Sequence, residues 1–285
     1  MGFRLALAQV APTKGDVATN AGIVARLASQ ASEEGASLVV FPESVMTGYI
    51  LEGGADEVAL APERLAALLG ERLSGLPQLD LVVGFFESTG GQPANSAAYL
   101  EWNGQACRVV HVYRKFFLPT YGVFDEERFH QRGTKLGVFD TRLGRFGILI
   151  CEDVWHSVLG TLLALNGAEV VMVPSASPVR GLAEDRPGNV LRYERMVRGL
   201  AEEHGVYSVA SMLTGFEGGK GFSGGSMAFD PFGGLLVQAP MGEDALVGCE
   251  IDLDQVRLAR SRTPLLGDLK ASWEVIQRLV AETRP

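Results

Sequence analysis

Three cysteines in 285 residues, Cys107, Cys151 and Cys249, are too few and too scattered for a disulfide framework. The four histidines (His111, His130, His156 and His204) show no metal-ligand spacing, among themselves or with the cysteines, so no metal site is expected. Nothing in the sequence calls for a cofactor. No run of about 18 apolar residues occurs, and no membrane-spanning helix is expected. A basic excess is missing as well. Twenty-five Lys and Arg against 34 Asp and Glu leave a net charge of -9, which argues against nucleic acid or an anionic membrane as partner and fits a cytoplasmic protein. The opening MGFRLALAQVAPTKGD has too short an apolar run for a signal peptide, and Ala6 stands where N-myristoylation prefers Ser or Thr. No Ser/Pro-rich linker or charge run divides the chain. With 47% hydrophobic residues, one domain over 1–285 is expected, with a C-terminal tail from about 252.

What the sequence does contain is an alternation of apolar strands and amphipathic helices. Strands are expected at 3–9, 37–41, 80–86, 96–100, 107–113, 146–150, 169–173 and 206–211, and more at 226–230, 234–238 and 245–251. Helices are expected at 17–34, near 57–72, at 154–166, at 189–204 and near 268–281. The turn Trp102-Asn103-Gly104 predicts a hairpin. The aromatic segment 116–133 and the glycine-rich segment 215–225 read as loops. Several strands are apolar without alternation, as in strands covered on both faces, so the fold class is α/β with mixed sheets flanked by helices.

Cys151 follows the buried run Phe146 to Ile150 and precedes an expected helix, where free N–H groups and the helix dipole would favour a thiolate. A lone cysteine is more often core packing, but Glu152 and Asp153 directly after it argue for a surface or a cleft. Glu43 and Lys115 share its structural address, just beyond a strand end, where α/β sheets form their ligand crevice. Either alone would ordinarily be a solvated surface charge. Together, a carboxylate, an ammonium and a thiol can carry out acyl transfer without histidine. Glu43 would take the thiol proton, Cys151 would attack, and Lys115 would stabilise the developing anion together with the N–H of Glu152.

Three segments, VVFPES at 39–44, YRKFFLPTYGVFDE at 113–126 and GILICEDVW at 147–155, resemble the signature segments of the nitrilase superfamily, the carbon–nitrogen hydrolases, in the expected order. The resemblance runs from residue 3 to about residue 250. It implies a four-layer α-β-β-α sandwich with two mixed sheets, usually dimerised through helices. It also implies Glu43 as general base, Lys115 as stabilising cation, Cys151 as nucleophile and Glu126 as a second glutamate that positions the amide and the lysine. KFFLPTYGVFDE and CEDVW look most like the glutaminase domain of glutamine-dependent NAD synthetases. On that resemblance Tyr121, Glu152 and the segment Pro174-Ser175-Ala176-Ser177-Pro178, with Arg180 beyond it, would line the pocket, with Ser177 for the substrate ammonium and Arg180 for its carboxylate. No ATP-using synthetase domain lies within these 285 residues, so an amidotransferase activity within this one chain is not expected, whereas a free-standing glutaminase or amidase is compatible with it.

Gly221-Phe222-Ser223-Gly224-Gly225 fits the G-x-S-x-G elbow, and 219–224 fits G-x-G-x-x-G, but no helix is expected after either. His156, five residues past Cys151, is expected to face away from it. The expected function is cysteine-dependent hydrolysis of a small-molecule amide, glutamine-like or ω-amide, with release of ammonia through a thioester. The alternatives are an N-carbamoyl amine amidohydrolase, a nitrilase, a catalytically silent scaffold and an N-acyltransferase. A homodimer or higher homo-oligomer is expected, and an ammonia-accepting synthetase is a candidate partner.

Overall fold

The structure, a computed structural model, describes residues 2–180 and 186–284. The first five strands are β1 (Gly2–Gln9), β2 (Leu38–Val40), β3 (Leu79–Glu87), β4 (Ala94–Trp102) and β5 (Cys107–Arg114). They are followed by β6 (Phe139–Thr141), β7 (Gly144–Ile148), β8 (Val170–Ser175), β9 (Tyr207–Met212), β10 (Thr214–Glu217) and β11 (Lys220–Ser223). The last three are β12 (Met227–Phe229), β13 (Leu235–Gln238) and β14 (Ala245–Asp252). One six-stranded sheet runs β14-β1-β2-β3-β4-β5 and the other β13-β12-β9-β8-β7-β6. Both are mixed. The pairs β1/β2, β2/β3, β7/β8 and β8/β9 are parallel, and the outer pairs are antiparallel.

Side-chain alternation along the strands builds the layers. On β1, Leu5 and Leu7 join Phe146, Ile148 and Val171 in a core between the sheets. Ala6 and Ala8, one residue out of phase, face α1 (Val17–Glu33) and meet its Val24 and Leu27. Small residues let the helix approach, and large ones fill the space between sheets. The helix α2 (Ala55–Val58) is short, and α3 (Pro62–Arg72) packs beside α1 through Leu65 and Leu69. After α4 (Glu126–Phe129), the helices α5 (Ser157–Leu165) and α6 (Gly188–His204) cover the outer face of the second sheet with Leu159, Leu163, Val190 and Val197. The result is the α-β-β-α sandwich expected from the sequence. Each fully buried Leu or Phe in these layers contributes roughly 1.5–3 kcal/mol.

Several elements differ from expectation for local reasons. The helix expected near 57–72 is two, because Ala61 is extended before Pro62, which opens α3 at its first turn. The segment 215–225 is largely the two-stranded hairpin β10–β11, turning through Gly218 and Gly219 at φ 54° and 74°. At the C-terminus, α7 (Leu253–Arg262) was not expected. It places Leu253 and Val256 in the core. The helix expected near 268–281 is α8 (Leu265–Ala271) and α9 (Trp273–Glu282), parted at Ser272.

Candidate active site

Glu43 lies three residues beyond β2, in a turn that crosses β3 at Gly84. A Cβ on Gly84 would come within 2.4 Å of both the Pro42 carbonyl and the Ser44 N–H, so a glycine lets this turn sit down on the strand. Ser44 takes φ 53°, an uncommon conformation for a side-chain-bearing residue. Glu43 is fully buried, and its two oxygens are separately held. Oε1 accepts from Asn95 Nδ2 at 2.7 Å and from Lys115 Nζ at 2.8 Å, and Oε2 accepts from the Ala176 N–H at 2.7 Å.

Lys115, the first residue after β5, is also fully buried. Its ammonium donates to Glu43 and, at 2.7 Å, to Glu126 Oε1. Glu126, at the start of α4, accepts in turn from the Tyr49 hydroxyl. Burial opposes the charge on Lys115, but the two carboxylates outweigh it and hold the ammonium protonated well above its ordinary range. Burial also raises the Glu43 carboxyl, against the pull of Lys115. A partly raised carboxyl beside a firmly charged amine is suited to taking and returning one proton.

Cys151 is buried, and its backbone sits at φ 50°. Its thiol sulfur lies 3.7 Å from the Ala176 carbonyl, and the Tyr193 hydroxyl donates to it at 3.0 Å. Ala176 therefore contacts both groups, the Glu43 carboxylate through its N–H and the sulfur through its C=O. The expected helix N-terminus at Cys151 is absent. A 3-10 turn, Cys151–Trp155, intervenes and α5 begins only at Ser157, so no α-helix dipole starts at the sulfur. Burial first, and then the charge of Glu43, push the thiol well above its usual value, while Lys115 and Tyr193 pull the other way.

Asp153 holds these parts in register. Fully buried, it accepts from the N–H groups of Phe116 and Phe117 at 3.2 and 2.8 Å, from the Ile150 N–H at 3.1 Å and from the Tyr113 hydroxyl at 2.8 Å. One carboxylate thus ties the chain after Lys115 to the chain before Cys151. Glu217 of the hairpin does the same for Tyr49, accepting from the N–H groups of Tyr49 and Ile50 at 2.7 and 3.0 Å.

The residues expected to line the pocket are distributed differently. Tyr121 is exposed and donates its hydroxyl to the Glu152 carboxylate at 2.8 Å. Arg180 lies over the rings of Phe124 at 4.6 Å and Tyr121 at 5.6 Å, so these three residues form one rim. Ser177 stands apart from it, buried and accepting from Asn189 Nδ2 at 3.2 Å. A cavity of about 280 Å³ borders the site at Tyr49 and Glu126, and none of Tyr121, Glu152, Ser177 and Arg180 lines it. His156 stacks on Phe117 with 3.6 Å between ring centroids. Among the described residues, no group of three or more His, Cys, Asp or Glu side chains could hold a metal ion.

Sequence reasoning missed Tyr49, Asn95 and Tyr193, while Ala176 falls within the segment 174–178 expected at the pocket. Asn95 is a buried amide at the start of a strand, and Tyr193 falls on the same stripe of α6 as Val190, Val197 and Leu200. Tyr193 therefore reads as core, and only its hydroxyl sets it apart.

The chain matches the family described as Carbon-nitrogen hydrolase over residues 4–261. It is 31% identical to the glutamine-dependent NAD(+) synthetase of Acinetobacter baylyi over 99% of this chain and 50% of that protein. It thus spans about half the length of the synthetase. It is 32% identical to the (R)-stereoselective amidase of a Pseudomonas species, over 93% of this chain and 91% of the amidase. Among solved structures, a mutant of the amidase from Nesterenkonia sp. AN1 superposes with a TM-score of 0.72 at 25% identity, over 95% of this chain and 99% of that one. It shows Michael addition of acrylamide at its active site cysteine.

Proposed function

The chain belongs to the carbon–nitrogen hydrolase family, and from that premise we propose that it hydrolyses a small-molecule amide, glutamine-like or ω-amide, through a thioester on Cys151. The observation that carries this reading is the Ala176 bridge, whose two ends meet the proposed base and the proposed nucleophile. Glu43 takes the thiol proton as sulfur attacks the amide carbon. Lys115 and the N–H of Glu152 hold the oxyanion, each such donor being worth roughly 3–4 kcal/mol. The C–N bond then breaks, and ammonia leaves with the proton from Glu43. Water, deprotonated by Glu43, attacks the thioester, and the thiol is regenerated. Glu126 acts through Lys115, fixing its ammonium with a second carboxylate.

The rim fits the zwitterionic end of a glutamine-like substrate, with the Glu152 carboxylate for an ammonium and the Arg180 guanidinium for a carboxylate. Ser177, whose hydroxyl is engaged by Asn189, supports the wall rather than the ligand. We further propose that residues 1–285 act as one domain in a homodimer or higher homo-oligomer covering the exposed Val275, Leu279 and Val280 of α9, and that the ammonia passes to a synthetase.

The test is an ammonia-release screen over glutamine, ω-amides, N-carbamoyl amino acids and nitriles. Release from amides in the wild type, and none from a folded Cys151→Ala variant, is expected. Release from carbamoyl amino acids or nitriles alone would replace the amide reading.

A further inference from the structure

Tyr193 comes from α6, an element separate from the turns that carry Glu43 and Lys115. It is fully buried, and its ring meets Trp155 edge-on at 5.6 Å. Its hydroxyl donates to Cys151 Sγ at 3.0 Å, while the nearby Ala176 carbonyl can only accept. A hydroxyl gains little from a neutral thiol, a weak acceptor, and much more from a thiolate, because hydrogen bonds to charged groups are about twice as strong. An interaction that strengthens as charge appears on the reacting atom speeds the step in which it appears.

We propose that Tyr193 is a catalytic residue that stabilises the Cys151 thiolate as the sulfur loses its proton to Glu43 and again when the thioester breaks. The inference rests on Cys151 being the nucleophile. In the first half-reaction the S–H proton passes to a Glu43 oxygen, the sulfur pair forms the S–C bond, and the C–N bond breaks toward ammonia. In the second, the water oxygen forms a bond to the same carbon, and the S–C pair returns to sulfur. Throughout, Tyr193 keeps its own proton. Burial and the adjacent sulfur hold its hydroxyl well above the ordinary range, so it serves as a donor and not as an acid. The other ionisable groups acting on the sulfur are Glu43 beyond β2, Lys115 beyond β5 and Glu126 on α4. Lys115 favours the thiolate and the two carboxylates oppose it, and Tyr193 adds a neutral donor.

The test follows iodoacetamide alkylation of Cys151 in the full chain across pH, with the modified peptide identified by mass spectrometry. It reads ionisation of the sulfur whether or not any amide is turned over. Tyr193→Phe retains the ring and should move the alkylation profile up by about one pH unit, about tenfold slower alkylation near neutrality. A fluorinated tyrosine at 193, a stronger donor of the same shape, should move it down. If the Phe variant does not fold, the fluorinated protein carries the test alone. Profiles that coincide with the wild type, or that move the opposite way, would overturn the proposal.

Discussion

Among side chains, the central arrangement is a buried ammonium between two carboxylates, with a thiol and a second carboxylate contact meeting at Ala176. Removing the ammonium leaves Glu43 and Glu126 as buried like charges without their common partner, which is far costlier than losing a surface ion pair. Lys115→Met should therefore reduce amide turnover by at least a thousandfold. Lys220→Met, at the partly exposed hairpin, should change it less than threefold. Steady-state kinetics on both variants checks this, and equal effects would contradict the assignment. Glu43, Lys115, Glu126 and Cys151 were legible in the sequence because their chemistry is concentrated in three short segments. The partners that orient them were not, because Asn95 and Tyr193 sit in a strand and a helix whose local pattern is ordinary packing. The rim also departs from expectation, with Ser177 turned to Asn189 and Arg180 laid over Phe124.

Where whole elements are concerned, strand ends were readable and the turns after them were not. The sequence pattern placed Cys151 after a strand, but it could not distinguish a helix from the 3-10 turn that carries Glu152 and Asp153. Asp153 matters more for that reason, since it joins two turns that neither strand positions alone. Its carboxyl is pushed up to about 6 by burial, against the N–H groups of Phe117 and Ile150 that favour its charge. The folded protein therefore holds this proton more tightly than the unfolded chain, where the ordinary carboxylate value applies. Its contribution to stability is greatest below about pH 4 and declines as pH rises through 6. Asp153→Asn lacks this titration. The difference in unfolding free energy, wild type minus variant, should fall by about 2.4 kcal/mol between pH 4 and pH 7. Denaturant titrations over that range check it, and a difference independent of pH would contradict it. The same variant should lose about tenfold or more in kcat, because an amide N–H would face one of the three backbone donors.

For the molecule as a whole, the site straddles the two sheets. Glu43 and Lys115 extend from the first sheet, Cys151 and Ala176 from the second, and the apolar layer between the sheets fixes their separation. Phe146 sits in that layer, 6.0 Å from both Phe3 and Tyr99 between ring centroids. Phe146→Ala should cost about 3–5 kcal/mol, and activity should be lost at the same temperature as the fold. Thermal inactivation followed alongside circular dichroism checks this. Inactivation well below unfolding would mean that the site can separate without the sheets parting. The layered architecture was legible because apolar strands alternate with amphipathic helices over most of the chain. The C-terminal region was less so: the helix near 268–281 was expected, but α7, whose few buried apolar residues Leu253, Val256 and Ala259 stand among charged ones, was not. Everything proposed for the reaction requires an acyl group to reside on one sulfur. Wild-type protein quenched in acid during turnover of a reactive amide and digested for mass spectrometry should carry the acyl mass on Cys151, with none on the peptide holding Ser223. Acylation elsewhere, or full turnover by Cys151→Ala, would contradict it.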